Sequence, residues 1–320
     1  MTRPLVIATR RFPDPVEERL KALFNAELRP DDAPMARAEL VAAVARCDVL
    51  APTVTDRIDA SLLGAAGPRL KLIANFGAGT DHIDLAAART RGISVINTPD
   101  VLTEDTADIV LALILSTTRG LGEGERLLRA GRWTGWSPTS FMGRSITGKV
   151  LAIVGMGRIG RALARRAHAC GMRIHYHNRH RLDRGAEAET GATWWPELDP
   201  LLAQADVVAL CCPYAPATHH LIDARRLALM KPGAFLINAA RGAVVDEDAL
   251  LEALEGGTLA GAGLDVYPRE PEVNPRLLAL PNVTLLPHLG SATVETRTAM
   301  GERVIANILA WNRDEKLETP

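Results

Sequence analysis

Short apolar runs alternate with longer stretches of helical periodicity along almost the whole chain. Residues 5–8, 49–51, 72–75 and 95–97 read as strands, and so do 150–154, 173–176, 207–211, 234–238 and 264–266. The stretches between the first three are rich in Ala, Leu, Glu and Arg at helical spacing. Continuous apolar runs separated by helices are the pattern of parallel strands buried on both faces. Asn97-Thr98-Pro99-Asp100 is turn chemistry and marks a boundary near residue 100. A helix is expected from Glu104 to Arg119, because Thr103-Glu104-Asp105-Thr106 supplies a cap and first-turn acids ahead of Ile109-Val110-Leu111. Residues 120–148 read as irregular. A last helix over 294–311 needs a surface for its apolar face, so it is expected to return to the first domain. The expected organisation is one domain of residues 1–100 and 288–320, into which a second of residues 101–287 is inserted.

A length of 320 residues agrees with two domains rather than one core. Apolar residues make up 47% and charged residues 23%, a globular composition. With a formal net charge of −1 there is no overall basic field to hold nucleic acid or an acidic membrane, so function has to come from a local site. The N-terminus lacks the apolar stretch of a signal peptide, and the run 109–115 is too short to span a bilayer; a cytoplasmic protein is expected. Cys47, Cys170, Cys211 and Cys212 follow neither disulfide nor zinc spacing and read as reduced, mostly buried thiols. His175 and His177 alternate on one strand and His219-His220 lie in a loop, but no carboxylate or thiol completes a ligand set, so no metal site is expected.

The chemistry begins at Val150-Leu151-Ala152-Ile153-Val154-Gly155-Met156-Gly157-Arg158-Ile159-Gly160, a strand running into G-x-G-x-x-G with a helix behind it. Gly155 permits the tight turn, Gly157 the approach of a pyrophosphate, and Gly160 close helix–sheet packing. Amides at the helix start then face the phosphates. Past the next strand, where an NAD site usually places an acid for the ribose 2′-hydroxyl, stands Asn178, followed by Arg179, His180 and Arg181. Loss of the carboxylate removes repulsion against a 2′-phosphate and two guanidiniums can pair with one, which favours NADP(H). The bland alternative is that these arginines are solvated and NAD(H) binds through Asn178.

Three further segments place a polar group just after an apolar strand: Arg241 in 235–242, Asp265 and Glu270 in 263–271, and His288 in 285–293. Open α/β sheets bind ligands at the carboxyl ends of their strands, so all three are expected at one crevice. The set suits reduction of a 2-oxo acid. A guanidinium grips a carboxylate with two prongs and leans on the C2 oxygen. A protonated imidazole gives that oxygen a proton as hydride arrives, and a carboxylate behind it favours its charged form and fixes its orientation. Taken singly, Arg241 could be an ion-pair residue, Glu270 a solvated loop acid and His288 a structural histidine; together, behind a dinucleotide loop, they are harder to explain that way.

Through Asn75-Phe76-Gly77-Ala78-Gly79-Thr80-Asp81-His82-Ile83-Asp84, 155–160, 238–242, 263–271 and 287–293 the chain resembles the D-isomer-specific 2-hydroxyacid dehydrogenases over nearly its whole length. The resemblance implies an α/β protein of two Rossmann-like parallel-sheet domains, one flavodoxin-like and one dinucleotide-binding, with the active site in the cleft between them. It implies that His288 is the proton donor and acceptor, Glu270 its partner and Arg241 the substrate anchor. Amides around Phe76, Gly77, Ala78 and Gly79 would hold the substrate carboxylate, while His82 reads as structural. Pro213, Thr218, Ala239 and Asp265 match cofactor-contacting positions. The implied cofactor site takes in Thr106, Met156, Arg158, Ile159, His180, Cys212, Ala240 and Gly290 as well, beside the loop glycines, Asn178, Arg179 and Arg181, and reaches Arg241 and His288.

Within the family the chain is most similar to glyoxylate/hydroxypyruvate reductases, through 103–108 and Arg132-Trp133-Thr134-Gly135-Trp136. Residues 176–182 also resemble formate dehydrogenases, but those carry aspartate where Asn178 stands and glutamine where Glu270 stands. The expected activity is reversible NAD(P)H-dependent reduction of glyoxylate or hydroxypyruvate, with NADP(H) preferred over NAD(H). The alternatives are a lactate-type, phosphite or other D-2-hydroxy acid dehydrogenase, or a dinucleotide-sensing binding protein of the same fold. A homodimer is expected, because 109–115 is unusually apolar for a surface helix and 120–148 carries Trp133 and Trp136.

Overall fold

The computed structural model describes residues 3–315 and residue 319. The chain divides into two compact units, Met1–Leu102 with Ala292–Pro320, and Thr103–Ser291. His288, placed by the sequence at the start of the returning segment, belongs to the second unit.

The first unit holds β1 (Leu5–Ala8), β2 (Asn25–Glu27), β3 (Val49–Ala51), β4 (Leu72–Ala74) and β5 (Ser94–Ile96). They form one parallel sheet in the order β2-β1-β3-β4-β5, the doubly wound order of flavodoxin-like folds. Successive side chains point to opposite faces, and both faces are covered. Val6 and Ala8 pack with Val16, Leu20, Val304 and Ile308. Ile7, between them, packs with Leu40, Val44, Leu62 and Leu63. The helix Val294–Asn312 thus closes the first of these faces. It lies so near the helix Asp14–Leu23 that a Cβ on Gly301 would stand 2.5 Å from Val16 Cγ2.

The second unit holds β6 (Val150–Val154), β7 (Arg173–His177), β8 (Thr193–Trp194), β9 (Val207–Leu210), β10 (Ala234–Asn238), β11 (Leu259–Leu264) and β12 (Val283–Leu285). All run parallel, in the order β12-β11-β10-β9-β6-β7-β8. The order reverses between β6 and β9, and a crevice opens at the carboxyl ends of strands at such a switch point.

Strands β2 and β8 and the helix Leu121–Arg129 were not anticipated; β11 begins before the expected run at 264–266, and β12, expected only as the apolar strand ahead of His288, already begins at Val283. The apolar stretch 109–115 is also less of a surface than expected. Val110, Leu113 and Ile114 of the helix Thr103–Arg119 are buried with Leu151, Ile153 and Ile237, Ile109, Leu111 and Leu115 are partly buried, and Ala112 is exposed. Among the described residues no helix is long and apolar enough to cross a membrane.

Candidate active site

At the end of β6 the three loop glycines meet three different constraints. Gly155 has φ +101°, a conformation that L side chains resist, and a Cβ there would lie 2.5 Å from Cys212 N on the loop after β9. Gly160 sits in the helix Arg158–Ala169, where a Cβ would lie 2.4 Å from Gly155 O. Gly157 caps that helix with no side-chain hydrogen bond, and a Cβ there would meet nothing within 4 Å. Two glycines are therefore required by packing, while the third leaves open the space in front of the helix amides. An uncapped helix start beside a bare backbone suits a dinucleotide pyrophosphate.

Asn178 braces this loop. Its Oδ1 accepts from Met156 N at 2.7 Å, and its Nδ2 reaches Met156 O at 3.4 Å. The Met156 side chain is itself buried, so only its backbone borders the loop's open side. Arg181 departs from expectation. Its Nε and Nη2 donate to the two oxygens of Glu187 at 2.9 and 2.8 Å, and its guanidinium lies 5.6 Å from the centre of the Trp194 ring. The same Glu187 accepts from the Tyr176 hydroxyl, and that hydroxyl accepts from Leu182 N, so the turn after β7 is pinned from both sides. Arg181 and Tyr176 hold the Glu187 carboxyl down to about 2. Arg179 and His180 stay exposed at the apex, and Arg179 makes no ion pair or hydrogen bond among the described residues.

The loop after β9 is held by Thr218, whose hydroxyl donates to Pro213 O at 2.9 Å and accepts from Ala215 N at 2.8 Å. Burial pushes the Cys211 and Cys212 thiols up to about 12 and about 11, which keeps both protonated. Thr106 and Gly290 meet each other, the threonine hydroxyl donating to Gly290 O at 2.9 Å.

The ends of β10, β11 and β12 carry the acid–base groups. Asn238 Oδ1 accepts from Ala240 N at 3.0 Å and its Nδ2 donates to Arg241 O at 2.9 Å, shaping the turn from which Arg241 projects. That turn presses on the one at Tyr267, where a Cβ on Gly242 would fall 2.2 Å from Pro268 N. Asp265 is only 1% exposed, and its two oxygens accept from Leu289 N at 2.6 Å and Gly290 N at 2.9 Å. Burial raises its carboxyl, with those amides and the charge of His288 acting against the rise. Expected as a cofactor contact, Asp265 is thus also a clamp that fixes the segment bearing His288, whose own φ is +56°. Glu270 is steadied by Tyr267 N, which donates to Oε1 at 3.0 Å. The Tyr267 hydroxyl in turn donates to Leu286 O at 2.9 Å.

His288 Nδ1 lies 2.7 Å from Glu270 Oε2. Burial would raise the Glu270 carboxyl, but the hydrogen bond and charge of His288, the Tyr267 amide and the charge of Arg241 together bring it below its ordinary value. An ionised carboxylate only accepts, so Nδ1 carries the hydrogen and Nε2 is left for a reacting group. Asn238 and Tyr267 were missed in the sequence, although each is a polar group at or just beyond the end of a buried strand.

In the first unit, the loop after β4 has its carbonyls held and its amides open. Asn75 Nδ2 donates to Gly77 O at 3.0 Å and Gly79 O at 2.9 Å, and Asn97 Nδ2 donates to Ala78 O at 2.7 Å. Gly77 has no room for a side chain, since a Cβ would lie 2.7 Å from Val54 Cγ1. Phe76 N is taken by Pro52 O, so that residue contributes packing rather than a donor.

The sequence profile described as D-isomer specific 2-hydroxyacid dehydrogenase, NAD binding domain, matches residues 111–290. The chain is similar to the glyoxylate reductase of Thermococcus kodakarensis, with 45% identity over 317 residues that cover 98% of this chain and 94% of that one. It is similar in structure to a glyoxylate reductase from Paecilomyes thermophila, with a TM-score of 0.89 and 35% identity over 100% of this chain and 98% of that one. A third relative is the NADPH-dependent glyoxylate/hydroxypyruvate reductase of Sinorhizobium meliloti, solved in complex with NADP and malonate. Its TM-score is 0.87 and its identity 38%, over 100% of this chain and 97% of that one.

Proposed function

The chain belongs to the D-isomer specific 2-hydroxyacid dehydrogenase family, and from that premise we propose that it is an NADPH-preferring reductase of glyoxylate and hydroxypyruvate. The observation that carries the reading is the 2.7 Å contact between His288 Nδ1 and Glu270 Oε2, beside Arg241 at the ends of neighbouring strands. The reduced nicotinamide, when bound, supplies the hydride. Arg241 pairs with the substrate carboxylate and polarises the C2 carbonyl. His288 Nε2 gives its proton to the C2 oxygen, so that one hydride and one proton turn the 2-oxo acid into the 2-hydroxy acid. Glu270 holds the imidazole in the required orientation; in the reverse direction neutral His288 takes the proton back.

Cofactor choice follows from the turn after β7. With Asn178 on the loop backbone and Arg181 on Glu187, Arg179 is the guanidinium left to meet a 2′-phosphate, seconded by His180. The exposed apolar surface at residues 121–142 supports association as a homodimer. Glyoxylate and hydroxypyruvate should each oxidise NADPH in the presence of this protein, with loss of absorbance at the reduced-nicotinamide band as the readout. His288→Ala should lower turnover by about two to four orders of magnitude while NADP+ still binds. A wild-type protein that oxidises no NADPH with either acid would reject the proposal.

A further inference from the structure

The loop Phe76–Gly79 is built from its underside. In a trans peptide the C=O of one residue and the N–H of the next point in opposite directions. Asn75 holds the carbonyls of Gly77 and Gly79, so the amides of Ala78 and Thr80 point away from Asn75. Asn97 holds the carbonyl of Ala78, so the amide of Gly79 points away from Asn97. Thr98 N also donates to Gly77 O, at 3.1 Å. Asn75 and Asn97 sit just past the ends of adjacent strands β4 and β5, so three consecutive carbonyls are taken by the sheet end beneath them. The amides of Ala78, Gly79 and Thr80 donate to no protein acceptor among the described residues. Exposure starts at the same point: Asn75, Phe76 and Gly77 are buried, whereas Ala78, Gly79 and Thr80 are partly open. Successive unpaired amides of this kind form an anion-binding concavity.

The orientation of Asn75 decides whether that concavity exists. If its carboxamide were turned over, Oδ1 would face two carbonyl oxygens and both bonds would become repulsions. What fixes it is His82, whose Nε2 lies 3.1 Å from Asn75 Oδ1. Because Nδ2 already serves two carbonyls, Oδ1 is the acceptor and His82 Nε2 is the donor. We propose that Asn75, Asn97 and His82 are positioning residues for the substrate carboxylate. They hold the carbonyls of Gly77, Ala78 and Gly79 so that the following three amides are presented to it, with His82 acting through Asn75. The identity of the anion as a 2-oxo acid rests on the reductase reading above; the anion cradle itself rests on the backbone.

The test uses the full-length protein loaded with NADP+ and two readouts: steady-state kinetics with glyoxylate at saturating NADPH, and binding of oxalate by titration calorimetry. Losing one hydrogen bond that positions the cradle should cost about five-fold in affinity. His82→Leu and Asn97→Asp, which is isosteric but has no Nδ2 donor, should each raise KM for glyoxylate by about that factor and weaken oxalate binding in parallel. Turnover should stay within about two-fold, and KM for NADPH should not change. His82→Gln, whose amide can still donate to Asn75, should restore both values, which a general loss of fold would not allow. The proposal is overturned if the variants bind oxalate and use glyoxylate as the wild type does, if turnover falls while KM holds, or if the wild type binds no oxalate. A wild type that reduces no 2-oxo acid but binds oxalate with the expected sensitivity to these substitutions would remove the reductase reading and leave the cradle standing.

Discussion

At the scale of single residues, Glu270 and His288 act as one unit. The charge and hydrogen bond of His288 help bring the Glu270 carboxyl below its ordinary value against the pull of burial, so Glu270 is ionised throughout the neutral range. Glu270→Gln keeps the shape but loses the charged acceptor that turns His288 Nε2 toward the substrate, so turnover in both directions should fall by about ten-fold while NADP+ still binds. Turnover of wild type and variant with glyoxylate, beside NADP+ titration, tests this, and equal turnover would dissolve the pairing. A second prediction concerns two arginines that look equivalent in the sequence. Arg179 is exposed and unpaired among the described residues, whereas Arg181 is forked onto Glu187. Arg179→Ala should therefore lower kcat/KM for NADPH by about ten-fold, the worth of one charge-assisted contact, and leave NADH unchanged. Arg181→Ala should weaken the turn after β7 without the same selectivity. An equal loss with both cofactors in Arg179→Ala, or a selective loss in Arg181→Ala, would show that the 2′-phosphate is held otherwise.

At the scale of elements, the junction of β6 with the helix Arg158–Ala169 separates packing from binding. A methyl group on Gly160 would be driven to 2.4 Å from the carbonyl of Gly155, whereas one on Gly157 has open space. Gly160→Ala should cost about 1–3 kcal/mol of stability and lower the melting temperature. Gly157→Ala should melt like the wild type but lose most of its affinity for NADP+, since the methyl group occupies the approach to the helix amides. Calorimetric melting together with NADP+ titration distinguishes the two, and normal NADP+ binding in Gly157→Ala would disprove the pyrophosphate position. The same contrast explains what could be read from the sequence. Buried central strands such as β6, β9 and β10 announce themselves as apolar runs, and the polar residue that ends each run announces the site. The two strands that escaped, β2 and β8, are both sheet edges, short and partly solvated, as Asn25-Ala26-Glu27 illustrates. Strand β11 was displaced in the reading because it is built of small residues. Gly261 passes so close to Asn282 that a Cβ would lie 2.4 Å from its carbonyl oxygen, and one on Gly263 would lie 2.8 Å from Thr117 Oγ1. Its hydrophobicity is low because its neighbours leave no room. Nor could periodicity reveal that Glu187, six residues beyond Arg181, would claim it.

At the scale of the whole molecule, the remaining question is how many copies act together. The formal net charge of −1 sets up no long-range repulsion between copies. Of the ten large apolar residues that stand exposed among the described residues, six, namely Leu121, Leu128, Trp133, Trp136, Phe141 and Met142, fall within one short stretch of the second unit. Trp136 is 84% exposed and Met142 74%. The helix Leu121–Arg129 in this stretch buries none of its residues within its own chain. Apolar surface gathered in this way is uncommon on a monomer and marks an association site. A two-fold interface uses each residue twice, so one substitution is felt on both sides. Burying one exposed indole is worth about 3 kcal/mol, and losing two would weaken a dimer by about 6 kcal/mol, or about four orders of magnitude in its dissociation constant. Sedimentation velocity at micromolar concentration should therefore give twice the chain mass of 34.4 kDa for the wild type and a monomer for Trp136→Glu. Trp136→Phe, which keeps most of the apolar area, should stay dimeric. A wild type that sediments as a monomer, or a Trp136→Glu protein that remains a dimer, would mean that this stretch is covered by something other than a second copy.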